Sequence, residues 1–264
     1  MKTITVRATI LEECLGMTPG NQEAFTKFLE FRKTKLGVKK AQISDEKTEE
    51  ELKALKLKVD EMKVDNTEQS VDVFPVNEDG CPIMWDYQIR GFFKDSMKAL
   101  KDMLAIKKSK DGGDDEKAAS LKKLSKMTVS AVAAFNKMPA TWVDRGVFVG
   151  PRQIKIEMPE GGKIGYCQRP LRVEKFPKDI TSLKCSETVP AGSVLKFRVG
   201  ILNDADEKLV LACLHYGFLR GFGEWRNSGK GRFEFDIYDE DKKQWVHQKP
   251  EFDEVFGFDE DLPE

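Results

Sequence analysis

The chain has 264 residues, enough to bury a sizeable core as one elaborated domain or two coupled ones. Its 40% hydrophobic content is ordinary for a globular protein and its 34% charged content is high. No run approaches the roughly 18 apolar residues that a membrane span needs. A formal net charge of −1 conceals patterning: residues 145–233 carry 16 Lys and Arg against 9 Asp and Glu, and residues 234–264 carry 3 against 12.

Residues 3–11 alternate, placing Ile4, Val6, Ala8 and Ile10 on one face of a first strand. The turn Gly16–Gly20 ends it. Asn21 then caps a helix with Phe25, Phe28, Leu29 and Leu36 on one stripe. Residues 38–70 are rich in lysine and glutamate and read as a peripheral charged insertion, helical around Thr48–Val59. A loop at Asn77–Pro82 leads to a second helix near 86–106, with Ile89, Phe92, Phe93, Leu100 and Leu104 as its apolar stripe. Residues 107–115 read as a flexible break, followed by a helix over 116–137 that stops before Pro139.

The remainder turns to β structure. Ile154, Ile156 and Met158 alternate along one strand, Leu195, Phe197, Val199 and Ile201 along another, and Phe233, Phe235 and Ile237 along a third. A helix over 206–218 separates the last two, and residues 239–264 form an acidic tail. The pattern predicts an α+β fold: one elaborated domain over 1–264, with helices on one face of a largely antiparallel sheet.

The sharpest local signal is Gly221-Phe-Gly-Glu-Trp-Arg-Asn-Ser-Gly-Lys-Gly231. Gly221, Gly223, Gly229 and Gly231 permit positive φ and close backbone approach. Arg220, Arg226, Lys230 and Arg232 surround them with cationic donors suited to phosphate oxygens, and Trp225 offers a ring for base stacking. A hairpin-like turn carrying solvating charges is the plainer alternative. A phosphate-binding loop of Walker A type does not fit: five residues separate Gly223 from Gly229, Gly231 follows Lys230 where Ser or Thr is needed, and a strand follows instead of a helix.

This loop resembles the hallmark of the RAMP superfamily, the RNA-binding subunits of CRISPR effector complexes. There, glycines and bulky apolar residues lead to a Gly-(Lys/Arg)-Gly ending just before a strand, as in Gly229-Lys-Gly-Arg-Phe233. Ser186–Val199 is similar to the family's entry into the preceding strand. Pro82–Lys94 looks like its Pro-x-Ile-Pro-Gly-Ser-Ser-Leu-Lys-Gly-x-x-Arg segment, with Arg90-Gly91 on Lys-Gly and Lys94 on Arg. Trp85-Asp-Tyr-Gln stands where the family has Pro-Gly-Ser-Ser, and Glu13–Asn21 lacks the aspartate of target-cleaving members.

The resemblance implies a ferredoxin-like, RRM-related core and a non-catalytic protein that grips single-stranded RNA by its backbone. Other copies of the chain, or other effector subunits, are the further partners it implies. Arg220, Trp225, Arg226, Lys230 and Arg232 would contact the RNA, extended by Arg169, Arg172, Arg90 and Lys94. A virus- or prophage-encoded relative with another task fits the same pattern.

Other chemistry has less support. Five scattered cysteines without a Cys-x-x-Cys pair, and only two histidines, point to a reducing, cytoplasmic setting with no metal or cofactor. His215 reads as a helix histidine with a satisfied hydrogen bond. His247 has no obvious carboxylate partner at useful sequence spacing. Two alternatives remain open: a metal-independent endoribonuclease using His215 in a cleft, and a protein-interaction module or subunit mimic that binds no nucleic acid. Pro170 is expected to break a strand and leave Arg169 and Arg172 on a loop.

Overall fold

The computed structural model describes residues 1–20, 45–62, 71–108, 142–173 and 180–248. Strand β1 (Lys2–Ile10) lies at the centre of the larger sheet, because its alternation gives one wholly apolar face. It pairs antiparallel with β10 (Val194–Ile201) on one side and β11 (Phe233–Asp239) on the other. The order across this seven-stranded sheet is β12 (Gln244–Gln248), β11, β1, β10, β7 (Gln153–Glu157) and β5 (Ile83–Trp85), with β6 (Val147–Gly150) also on β10.

Among the described residues two long helices cover the apolar face. Helix α2 (Asp86–Lys108) contributes Ile89, Phe92, Phe93, Met97 and Leu100, and α4 (Glu207–Arg220) contributes Leu209, Val210, Cys213 and Leu214, all in one core with Ile4, Val6, Ala8 and Ile10. The short α3 (Trp142–Gly146) adds Trp142 and Val143. Gly217 lets α4 press on the sheet, since a Cβ there would come 2.1 Å from Cζ of Phe233. The fold is therefore α+β with largely antiparallel sheets, compatible with a ferredoxin-like core.

A second sheet has the order β2 (Cys14–Leu15), β9 (Ile180–Val189), β4 (Val71–Val73) and β3 (Thr18–Pro19), with β8 (Gly165–Val173) on the outer side of β9. Within it β4 and β9 form a parallel pair. The sequence pattern does not announce it, because its strands are short or broken by charge. Helix α1 (Asp45–Met62) packs here, Leu55 against Val71, Val73 and Cys185, and Ala54 against Ile83 and Trp85. Lys58 reaches Glu187 at 3.0 Å, and both side chains are buried, 8% and 0% exposed. Arg152 ties α1 to the first sheet through Glu50, Glu51 and Asp86, its guanidinium 5.3 Å from the Trp85 ring.

Three local expectations need correction. Pro170 does not interrupt β8, which runs from Gly165 to Val173; among the described residues it pairs only with β9, and an edge strand tolerates a residue without an N–H. His215 is half-buried against the Phe235 ring at 5.0 Å, and among the described residues its Nδ1 has no hydrogen-bond partner. His247 does have a carboxylate: cross-strand pairing sets its Nδ1 2.9 Å from Asp236. The helices expected over 21–36 and 116–137 lie outside the described residues, as does the tail beyond 248.

Candidate nucleic-acid interface

The glycine-rich loop starts where α4 stops. Gly221 takes φ +42°, donating its N–H to Gly217 O at 2.9 Å, and Phe222 N–H then bonds Gly231 O at 2.8 Å. Gly231 N–H reaches Glu13 O at 2.9 Å. The two arms of the loop cross so closely that a Cβ on Gly221 would sit 1.8 Å from Gly231 O, and one on Gly231 would sit 2.0 Å from Phe222 O. Gly223 presses on Leu15 O in the same way. Phe222 is the pin: buried, stacked on Phe233 at 4.1 Å and edge-on to Phe92 at 5.0 Å. The loop is thus a built structure with a buried aromatic anchor.

Beyond this anchor the chain turns outward. Trp225 adopts a left-handed conformation (φ +54°), followed by a single 3-10 turn over Arg226–Ser228 that closes on Gly229 at φ +80°. Trp225 is left 39% exposed, with the Arg169 guanidinium 5.6 Å from the centre of its ring. Glu224 clamps the loop to the second sheet, meeting Arg169 of β8 and Lys184 of β9, the latter at 2.8 Å. Burial raises the Asp72 carboxyl above its ordinary range despite the opposing pull of Lys184. Burial lowers Lys184, but its bonds to Asp72 and Glu224 outweigh that and hold it above its usual value.

The loop cations named from the sequence come together, and each has an acidic partner. Arg226 and Arg220 share Asp95, at 2.9 and 3.4 Å. Lys230 pairs with Glu13, and Arg232 with Glu12 at 3.3 Å. Further out, Arg90 lies 3.7 Å from Asp86, and Lys94 pairs with Asp144. Arg172 lies in β8 opposite Thr181. The segment is basic in composition but its loop is nearly neutral in space. Sequence reasoning does not find the carboxylates Glu12, Glu13 and Asp95, because their cationic partners are distant along the chain; Glu224 stands within the loop, but its partners Arg169 and Lys184 do not.

Beside the loop lies a cleft of about 540 Å3. Residues three and four apart on α2 face it, namely Tyr87, Gly91, Lys94, Asp95 and Lys98. Phe222, Gly223 and Arg226 line the loop side, and Met17 and Phe92 contribute apolar surface. His215 lines neither this cleft nor the acidic one around Glu49–Lys53. Among the described residues no cluster of three His, Cys, Asp or Glu could hold a metal, and no helix is long and apolar enough to cross a membrane.

No protein-family model matches the chain, and no curated protein matches it in sequence. Among solved structures, a chain from the cryo-electron microscopy structure of a Csm–crRNA–target RNA ternary complex of a type III-A CRISPR–Cas system aligns with 80% of this chain and 69% of its own, at 12% identity and a TM-score of 0.26. The alignment is long but loose.

Proposed function

We propose that this chain is a non-catalytic RNA-binding protein of RAMP type that grips the backbone of single-stranded RNA with its glycine-rich loop. The observation that carries the reading is the construction of that loop: a turn, pinned by Phe222, that presents a part-exposed Trp225 beside Arg169 and Arg226, with Lys230 on the same loop. Stacking on such a ring is sequence-tolerant, and guanidinium forks match phosphate oxygens.

Binding would proceed by exchange. The pairs to Asp95, Glu13 and Glu12 are partly exposed, and such pairs are worth only about 0–1 kcal/mol each. A phosphate oxygen offers the same geometry as the carboxylate it displaces. Further copies of the chain or other subunits along one RNA are the partners this mode of binding would bring together.

The test is titration of a labelled single strand at several salt concentrations. Each phosphate contact contributes a slope of roughly −0.7 in log affinity against log salt. Replacing Arg226 and Lys230 by alanine should weaken all sequences alike and flatten that slope, whereas Trp225→Ala should lower affinity with little change in slope. Equal behaviour of wild type and double variant would refute the reading.

The internal neutralisation of the loop favours a second reading, a protein-interaction module that keeps the fold without binding nucleic acid. Its signature is salt-insensitive, negligible RNA affinity in the wild type and equally in an Asp95→Asn/Glu13→Gln variant.

A further inference from the structure

We infer that the cleft between α2 and the glycine-rich loop is a pocket for one unstacked nucleobase, with Gly91 as the residue that keeps it open. The inference rests on the RNA-binding reading and adds to it a recessed site for a base, distinct from the exposed Trp225 ring.

Gly91 is the starting point. It lies inside a 23-residue helix, where glycine is among the poorest residues. Glycine persists in helix interiors when another part of the chain needs the space, as Gly217 does beneath Phe233. Among the described residues Gly91 has no such neighbour: a Cβ built there meets nothing within 4 Å, and the residue is exposed. Its one distinction is its place in the wall of the cleft. A bare patch of helix backbone facing a cavity lets a flat ligand lie against it.

The cleft suits a base in size and chemistry. At about 540 Å3 it falls within the range of small-molecule sites and leaves room for one nucleotide. Phe92, Phe222 and Met17 supply apolar surface, and Tyr87 stands on the same helical stripe one turn before Gly91. Arg226, shared with the loop, and Lys98 also line the cleft. Lys98 is exposed and, unlike the loop cations, forms no ion pair among the described residues. Apolar side chains together with Lys98, which is unpaired among the described residues, in one lining fit a neutral ring attached to a phosphate. A polyanion without bases would use the cations and leave the apolar lining uncovered.

Three probes test this: adenosine monophosphate, a short labelled oligouridine, and the matching abasic ribose-phosphate strand. The wild type should prefer oligouridine over the abasic strand by about tenfold, the scale of one stacked base. Gly91→Met, which fills the cleft, should reduce that preference severalfold while binding the abasic strand like wild type. It should also abolish the chemical-shift changes that the mononucleotide causes on α2. Lys98→Ala, a surface change that leaves the fold intact, should weaken the mononucleotide at least threefold and carries the test if Gly91→Met does not fold.

An unchanged preference in Gly91→Met, or no shift of α2 resonances by the mononucleotide in wild type, would overturn the pocket. If salt-dependent RNA binding then persists and is lost in Arg226→Ala/Lys230→Ala, the loop reading survives without the pocket. If the mononucleotide binds and Gly91→Met blocks it while no RNA binding is salt-sensitive, the pocket stands and the loop reading falls.

Discussion

Asp95 of α2 holds Arg226 of the glycine-rich loop at 2.9 Å, and so joins the two walls of the cleft across 131 residues of sequence. The carboxylate competes with any phosphate for the same guanidinium. Asp95→Asn should therefore strengthen RNA binding by up to about fivefold, the scale of an exposed ion pair. Titration at fixed low salt beside the wild type measures it. Weaker binding would mean that Asp95 positions Arg226 more than it competes.

The glycines divide into two kinds with opposite responses to alanine. Gly221→Ala sets a Cβ 1.8 Å from Gly231 O at a positive φ, so it should destabilise by more than about 1 kcal/mol and lower the melting temperature clearly. Gly91→Ala meets open space inside a helix and should stabilise by about 0.5–1 kcal/mol. Thermal melts of the two variants should move to opposite sides of the wild type.

His215 makes the protein acid-sensitive. Burial lowers its pKa to about 4, well below the ordinary value of 6.5. Between these two values the unfolded chain binds the proton and the folded chain does not. Stability contributed by the neutral ring is therefore complete above pH 6.5 and is lost as pH falls through 4. The full effect is about 3 kcal/mol at most. Urea unfolding at neutral pH and near pH 4.5 should show a smaller loss for His215→Phe than for wild type.

The Lys58–Glu187 pair is buried on both sides, and Glu187 Oε2 also accepts the Phe74 N–H at 2.9 Å. Lys58→Met leaves that carboxylate without its cation and should cost about 3–5 kcal/mol. Adding Glu187→Gln removes the charge while keeping an acceptor for Phe74, and should restore part of the loss in denaturant unfolding.

Part of the larger sheet is legible in the amino-acid pattern, because β1, β7, β10 and β11 obey a period of two, whereas β5, β6 and β12 carry no such period. Val6 and Ala8, Phe197 and Val199, and Phe233 and Phe235 each alternate with polar neighbours, and that shared alternation marks β1, β10 and β11 as members of one sheet. The second sheet is not legible in this way, because β2, β3 and β4 are two or three residues long and carry no period. Composition reveals the glycine-rich loop, and its place ahead of a strand follows from the alternation of Phe233 and Phe235. Its charge balance is hidden: Glu12 and Glu13 follow β1, more than 200 residues before the Lys230 and Arg232 they neutralise. Gly91 stands out in the sequence only as part of a motif, since its open surroundings are a property of three dimensions.

The position of β1 has a consequence for how the chain acquires its shape. Its two neighbours in the sheet are β10 and β11, so Lys2 waits for Ile201 and Ile10 for Phe233. During synthesis β1 emerges with both edges unpaired and an apolar face of Ile4, Val6, Ala8 and Ile10; one edge gains its partner once Ile201 has left the ribosome, and the other only when β11 has followed. Pairings of such long sequence separation form slowly because loop closure precedes any compensating contact. Over that interval the opening segment is a ready template for other strands, which makes the nascent protein prone to aggregation.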